Sequence, residues 1–191
     1  MGWTFHAGAT RQDVIADLVK GWDGEEIKCI SLSHAVRGNI LWCLYETTHK
    51  ASGKVSTWIG CSILGSDPGY GWGSKDMEES MGPCYYSCPL SFLDRAPQPG
   101  NKYSADWRAT VRAYHAKLAA GRMNKRTVAI GDTIDNPGYQ HIGPMQVEQI
   151  ILGPKGQRRL IRARAKSGQL YHLTGKYFQG MVIAKAQAAA A

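Results

Sequence analysis

Two turn signals inside one apolar-rich stretch constrain this chain more than any other feature. Residues 26–35 (Glu-Ile-Lys-Cys-Ile-Ser-Leu-Ser-His-Ala) interleave Lys28, Ser31 and Ser33 with apolar side chains. Gly38-Asn39 then marks a reversal, and Ile40 to Thr47 is a run of large side chains. Ser52-Gly53 marks a second reversal before Val55 to Leu64 returns. Three such runs joined by short turns, with Trp3-Thr4-Phe5 as a further strand, predict an antiparallel sheet. Upstream, Thr10-Arg-Gln-Asp13 has capping-box spacing with Asp in place of Glu. Val14, Ile15, Leu18 and Val19 follow at helical intervals until Gly21, which predicts a helix over 11–20. The expected first half is α+β, an antiparallel sheet carrying helices.

Gly65 to Lys75 holds Pro68 and glycines at 65, 69, 71 and 73 and reads as loop. After a break at Ala96-Pro-Gln-Pro-Gly100, Ser104 is placed to cap a helix. Its apolar stripe is Trp107, Val111, Tyr114 and Leu118, its polar face carries Arg108, Arg112, His115 and Lys117, and Gly121 supplies the stop. From Met123 short strands are expected at 126–130, 145–152, 158–166, 169–174 and 181–184, a spacing that suits a small SH3-like or OB-like β-barrel. The predicted organisation is an α+β domain over 1–122 with a Gly/Pro/Cys-rich connector at 65–100, a small basic barrel over 123–185, and an Ala-rich disordered tail over 186–191.

Charge divides unevenly between these parts. Residues 1–100 carry 8 Lys/Arg and 11 Asp/Glu, a net of −3, whereas residues 101–191 carry 15 Lys/Arg and 4 Asp/Glu, a net of +11. Such asymmetry points to a surface that meets a polyanion or an acidic partner. No apolar run approaches the roughly 18 residues of a membrane span, and Met-Gly-Trp-Thr-Phe-His has no signal-peptide pattern. A soluble, cytoplasmic protein without membrane contact is expected. The five cysteines (29, 43, 61, 84 and 88) are an odd number, which argues against a disulfide framework. Cys29, Cys43 and Cys61 lie in apolar runs, where cysteine behaves as a small hydrophobe.

The densest set of reactive side chains runs from Gly71 to Asp94. Cys84-Tyr-Tyr-Ser-Cys88 is half of a structural zinc site, and with the histidines scattered it lacks a second ligand pair; no metal and no cofactor are expected. Cys88 precedes Pro89, so a helix over 89–94 would make Cys88 its N-cap and lower its thiol pKa. A nucleophilic Cys88 or Cys84 would still need a base such as His34 or His141. The competing reading packs Cys88 beneath the helix start. Asp76, Glu78 and Glu79 could serve as paired acids, but Lys75 and Ser80 beside them suit a solvated turn equally well. Gly71-Trp-Gly73 reads as a flexible turn with an exposed aromatic, not a phosphate loop.

The strongest binding signal is Arg158-Arg-Leu-Ile-Arg162-Ala-Arg164-Ala-Lys166. On a strand, Arg162, Arg164 and Lys166 share one face with Leu160, and Ile161, Ala163 and Ala165 face the core. Lys155, Arg158, Arg159 and Lys176 would extend this basic face, with Tyr171, His172 and Tyr177 offering rings for nucleic acid. A merely solvated basic face is the alternative.

The stretch Lys75-Asp-Met-Glu-Glu-Ser-Met-Gly-Pro-Cys-Tyr-Tyr-Ser-Cys-Pro-Leu-Ser-Phe-Leu-Asp94 resembles a group of uncharacterised proteins encoded by bacteriophages and conjugative plasmids. They are similar in a Lys-Asp-Met-x-Glu run followed by Gly-Pro, Cys-Pro and Leu-Asp. The opening Met-Gly-Trp and Gly131-Asp132-Thr133-Ile134 are similar too. The resemblance implies an accessory protein of a mobile element, and it assigns no catalytic residue.

Three functions compete. A non-enzymatic protein could bind nucleic acid through Arg158, Arg159, Arg162, Arg164, Lys166 and Lys176. A protein-binding inhibitor of a host defence complex, of anti-CRISPR or anti-restriction type, could use Trp72, Asp76, Glu78, Glu79, Tyr85 and Tyr86. A cysteine-dependent enzyme could use Cys84 or Cys88 with His34.

Overall fold

The computed structural model describes residues 4–67, 69–78, 85–96 and 99–186, with 74–78 described by backbone alone. Cys84, Glu79 and the tail beyond Ala186 lie outside the described residues. The chain divides into two compact units, residues 1–114 and 115–191.

The first unit contains β1 (Thr4–Phe5), α1 (Arg11–Trp22), β2 (Ile27–Arg37), β3 (Ile40–His49), β4 (Val55–Leu64), β5 (Trp72–Glu78), α2 (Leu90–Arg95) and the first half of α3 (Lys102–Thr127). The capping box forms as expected: the Asp13 N–H donates to Thr10 Oγ1 at 3.3 Å, and the Thr10 N–H donates to Asp13 Oδ2 at 2.7 Å. The five strands make one antiparallel sheet in the order β1-β5-β4-β3-β2. Gly38, at φ +63°, begins the two-residue turn that pairs Arg37 with Ile40.

Both faces of this sheet are covered. Ile40, Trp42 and Leu44 pack with Ile59, Cys61, Phe92, Leu93, Trp107 and Val111 on one side. Leu41, Cys43 and Tyr45 pack on the other with Val14, Trp72 and the half-buried stripe of α1. That is why β3 reads as a continuous apolar run instead of alternating. The Trp42 and Trp107 rings lie 5.9 Å apart. Their indole N–H groups reach outward from the core, Trp42 to Ser87 Oγ at 3.2 Å and Trp107 to the Tyr85 carbonyl at 3.0 Å, so both rings are buried without an orphaned donor.

Several expectations change. Residues 72–78 are strand β5, not loop, and Trp72 is 8% exposed. The flanking glycines serve close approach: a Cβ on Gly71 would lie 2.4 Å from both the Ala9 nitrogen and the His6 carbonyl oxygen, and one on Gly73 would meet the Phe5 ring at 2.5 Å. The α3 cap is Asn101, whose Oδ1 accepts the Ser104 N–H at 2.9 Å, and not Ser104. Along α3, Trp107 and Val111 are buried as expected, Tyr114 is exposed, and Arg108 is buried although its spacing placed it on the polar face.

The second unit contains the rest of α3, β6 (Thr133–Asp135), a 3-10 turn (Pro137–Tyr139), β7 (Met145–Leu152), β8 (Arg158–Ala165), β9 (Leu170–Leu173), α4 (Gly175–Phe178) and β10 (Val182–Ala184). They form one antiparallel sheet in the order β10-β6-β7-β8-β9, with no ladder between β9 and β10 among the described residues. The helix does not stop at Gly121. That residue is buried because Gln179 packs onto it, and a Cβ there would come within 3.2 Å of the Gln179 backbone. The strand expected at 126–130 is instead the helix end and a turn, and the strand begins at Thr133.

Two asparagines complete the backbone hydrogen bonding. Asn124 Nδ2 donates to the carbonyls of Phe178 and Met181 at 3.0 and 2.9 Å, and Asn136 Nδ2 donates to that of Tyr177. Asp132, 2% exposed, accepts from the Ala129 N–H at 2.7 Å, from Lys185 Nζ at 2.8 Å and from the Ala186 N–H at 3.1 Å. Burial pushes its carboxyl up, but Lys185 and the two N–H groups together outweigh this and hold it below the usual carboxylate value of 3.8.

Two outcomes follow from this packing. Gly71→Ala should lower unfolding stability by about 1–3 kcal/mol, read from the urea midpoint, because backbone cannot yield to the added methyl; an unshifted midpoint would contradict the close approach. A carboxyl whose pKa is depressed on folding stabilises the protein above its unfolded pKa and loses that contribution as pH falls through the folded value. Asp132→Asn should therefore cost about 1–3 kcal/mol at neutral pH and less below pH 3.8, as measured by melts across that range.

Candidate nucleic-acid interface

The sequence of β8 builds its site by simple alternation. Ile161, Ala163 and Ala165 are buried in the core of the second unit, and Arg162 and Arg164 emerge on the opposite face. Ladder register sets their neighbours. Gln149, Arg162 and His172 form one row across β7, β8 and β9, and Gln146, Arg164 and Leu170 form the next. The register shift between Val147 and Gln149 leaves Glu148 and Gln149 both exposed.

That bulge supplies an acid that residue spacing does not place. Arg164 forks onto Glu148, Nε to Oε1 at 2.5 Å and Nη2 to Oε2 at 2.9 Å, and its Nη1 donates to the Gly168 carbonyl at 2.7 Å. Arg164 in turn holds the Glu148 carboxyl below its usual range. Arg162 is less committed. Its Nη1 donates to Gln149 Oε1 at 3.1 Å, and its buried Nε takes no partner among the described residues. Lys166 lies in the turn past the end of β8 and so is not part of the strand face.

The remaining cations diverge from the expected stripe. Arg158 turns to the end of α3, where Nη1 donates to the carbonyls of Lys125, at 3.2 Å, and Val128. Beside it stand Arg122, Lys125 and Arg126, which together with Gly156, Gln157 and Arg158 line a cleft of about 370 Å³. Residue spacing hides these three cations, because Gly121 reads as the helix stop. Arg159 and Lys176 are exposed. Of the rings expected to extend the basic face, Tyr177 is 4% exposed and belongs to the core, and Tyr171 is half-buried against it; His172 stays exposed.

Electrostatics favour an anion over most of this surface. Residues 115–191 hold 12 Lys/Arg and 3 Asp/Glu, a net of +9. Lys185 is paired with Asp132 and Arg164 with Glu148. Among the described residues of this unit, Asp135 is then the one carboxylate without a salt bridge, against ten further cations.

The thiol and loop candidates fare differently. Cys88 is 0% exposed inside the first unit's core, with Sγ 3.6 Å from the Pro89 carbonyl. The helix begins at Leu90 with Pro89 in the cap position, so Cys88 does not cap it. Cys29, Cys43 and Cys61 are also buried, and burial pushes the Cys43 thiol up to about 11. His34 is exposed on β2, and Cys84 lies outside the described residues. Of the residues expected to meet a protein partner, Trp72 is buried, Tyr85 is half-buried and Tyr86 is 42% exposed. Asp76 and Glu78 fall on the backbone of β5, and Glu79 is outside the described residues. Among the described residues no cluster of His, Cys, Asp and Glu could hold a metal ion, and no helix is long and apolar enough to cross a membrane.

Buried, protonated thiols react slowly. In the native protein at pH 7, iodoacetamide should label Cys29, Cys43, Cys61 and Cys88 only after denaturant is added, as followed by peptide mass spectrometry; rapid native labelling of Cys88 would reopen the nucleophile reading. Comparison of the chain with protein-family models, curated proteins and solved structures finds no match.

Proposed function

We propose that this is a non-enzymatic accessory protein whose second unit binds the sugar–phosphate backbone of nucleic acid. The observation that carries the reading is the surplus of cations in residues 115–191, ten of them without a salt bridge to a described carboxylate. Backbone contact is favoured over base stacking because Tyr177 is buried and Tyr171 is half-buried against the core, so that of the three rings expected beside the basic strand His172, paired with Arg162, is the exposed one. Sequence-independent binding with strong salt dependence is the expected behaviour.

The strand order supports an SH3-like reading of the second unit. Four strands run as a meander, and β10 returns beside β6 after the single turn of α4. A small sheet of this kind can present β7, β8 and β9 as one contact face. The resemblance of residues 75–94 to phage and plasmid proteins suits an accessory role.

Fluorescence anisotropy with a labelled oligonucleotide tests the proposal. Log affinity should fall linearly with log salt, with a slope of about −0.7 per phosphate contact on single strands and about −0.9 on duplex. Arg162→Glu should weaken binding on the order of tenfold and flatten that slope. It is the better probe than Arg164, whose reversal would also set two carboxylates against each other. Absent or salt-insensitive binding would overturn the function.

A further inference from the structure

Away from the sheet face, the last turns of α3 and the β7–β8 turn enclose the cleft of about 370 Å³ lined by Arg122, Lys125, Arg126, Gly156, Gln157 and Arg158. Four of its six residues are cationic and none is acidic. Among the described residues, none of the four forms a salt bridge. Arg122 and Arg126 stand one turn apart on α3, a like-charge spacing that disfavours the helix until something neutralises it.

A helix C-terminus ordinarily repels anions, because its last carbonyls carry the negative end of the dipole. Here Arg158 Nη1 occupies the Lys125 carbonyl of the last turn and the Val128 carbonyl just past it, and the carbonyl end is screened. The same bonds fix the guanidinium, whose Nη2 and Nε take no partner among the described residues. It is a held donor group with unused N–H bonds, which is what a phosphate oxygen requires. The opposite wall is also set. Gln157 Oε1 accepts the Lys155 N–H at 3.1 Å, the Gly153 N–H donates to the Gln157 carbonyl at 2.7 Å, and Gly156, at φ +69°, leaves open space where a Cβ would stand. The volume falls at the small end of the roughly 300–1,000 Å³ of ligand sites.

We propose that this cleft is a phosphate subsite, in which Arg122, Arg126 and the anchored Arg158 receive one phosphate group of a nucleic-acid strand. Naming the ligand as a strand phosphate rests on the function proposed above, whereas the affinity for a phosphate group stands on the cleft itself. The experiment separates the two. Pyrophosphate is titrated into the full chain by isothermal calorimetry, and an oligonucleotide by anisotropy, for the parent protein, the Arg122→Ala/Arg126→Ala double variant and Arg162→Glu. Thermal melts check that each variant is folded.

The expected result is saturable pyrophosphate binding that the double variant loses and Arg162→Glu keeps. The double variant should also shorten the oligonucleotide salt slope by about one phosphate contact. Pyrophosphate binding without any oligonucleotide binding would uphold the subsite for a free phosphate while removing the nucleic-acid source. Failure of pyrophosphate to bind, together with an unchanged slope in the double variant, would overturn the subsite and leave the sheet face standing. Arg158→Lys adds a geometric check, since it keeps the charge and removes the fork: a full-strength pyrophosphate site in that variant would refute the role given to Arg158.

Discussion

The first unit depends on one strand having no wet face. Ile40 to Tyr45 point alternately into two separate cores, and neither core can form without the other side of the same strand in register. A slip of one residue in β3 would exchange Trp42 for Leu41 or Cys43, putting small side chains where an indole is needed and the reverse. The two flanking hairpins hold that register through turns at Gly38 and Gly53, both at positive φ. Helices on the two sides then follow, since only an amphipathic helix or a covering segment can close each face. The burial of four cysteines is a by-product of this arrangement, and sulfur there serves as packing volume.

The second unit solves a different problem. Its helix ends and turns leave carbonyls that must find donors. Three long polar side chains supply them, Asn124 and Asn136 around the end of α4 and Arg158 at the end of α3. Asp132 does the complementary work for N–H groups at its own turn and at Ala186. Charge needed for internal hydrogen bonding is therefore hard to distinguish, by composition, from charge open to a ligand. Arg158 and Arg162 differ in this respect though they lie on one strand.

Local signals are legible in the sequence and distant ones are not. The capping box at Thr10, the reversal at Gly38 and the inward set Ile161, Ala163 and Ala165 each depend on neighbours a few residues away. Gly121 misleads because a glycine that ends a helix and one that admits Gln179 look the same along the chain. Gly71 and Gly73 suggest a loop for the same reason, when they make room for the segment around Ala9 and Phe5. With α3 cut short at Gly121, Arg122, Lys125 and Arg126 lose their common surface, and the cleft cannot be anticipated. The fork between Glu148 and Arg164 needs the bulge in β7, which no residue spacing announces.

The pairing of β10 with β6 has a consequence for synthesis. β6, at 133–135, acquires its second neighbour only when residues 182–184 have left the ribosome, and Asp132 stays uncompensated until Lys185 follows. Translation thus withholds these hydrogen bonds until every other strand of the second unit has emerged. The first unit repeats this on a shorter span, since β1 at Thr4–Phe5 finds its partner in the sheet only when β5, the last strand of that sheet, has emerged.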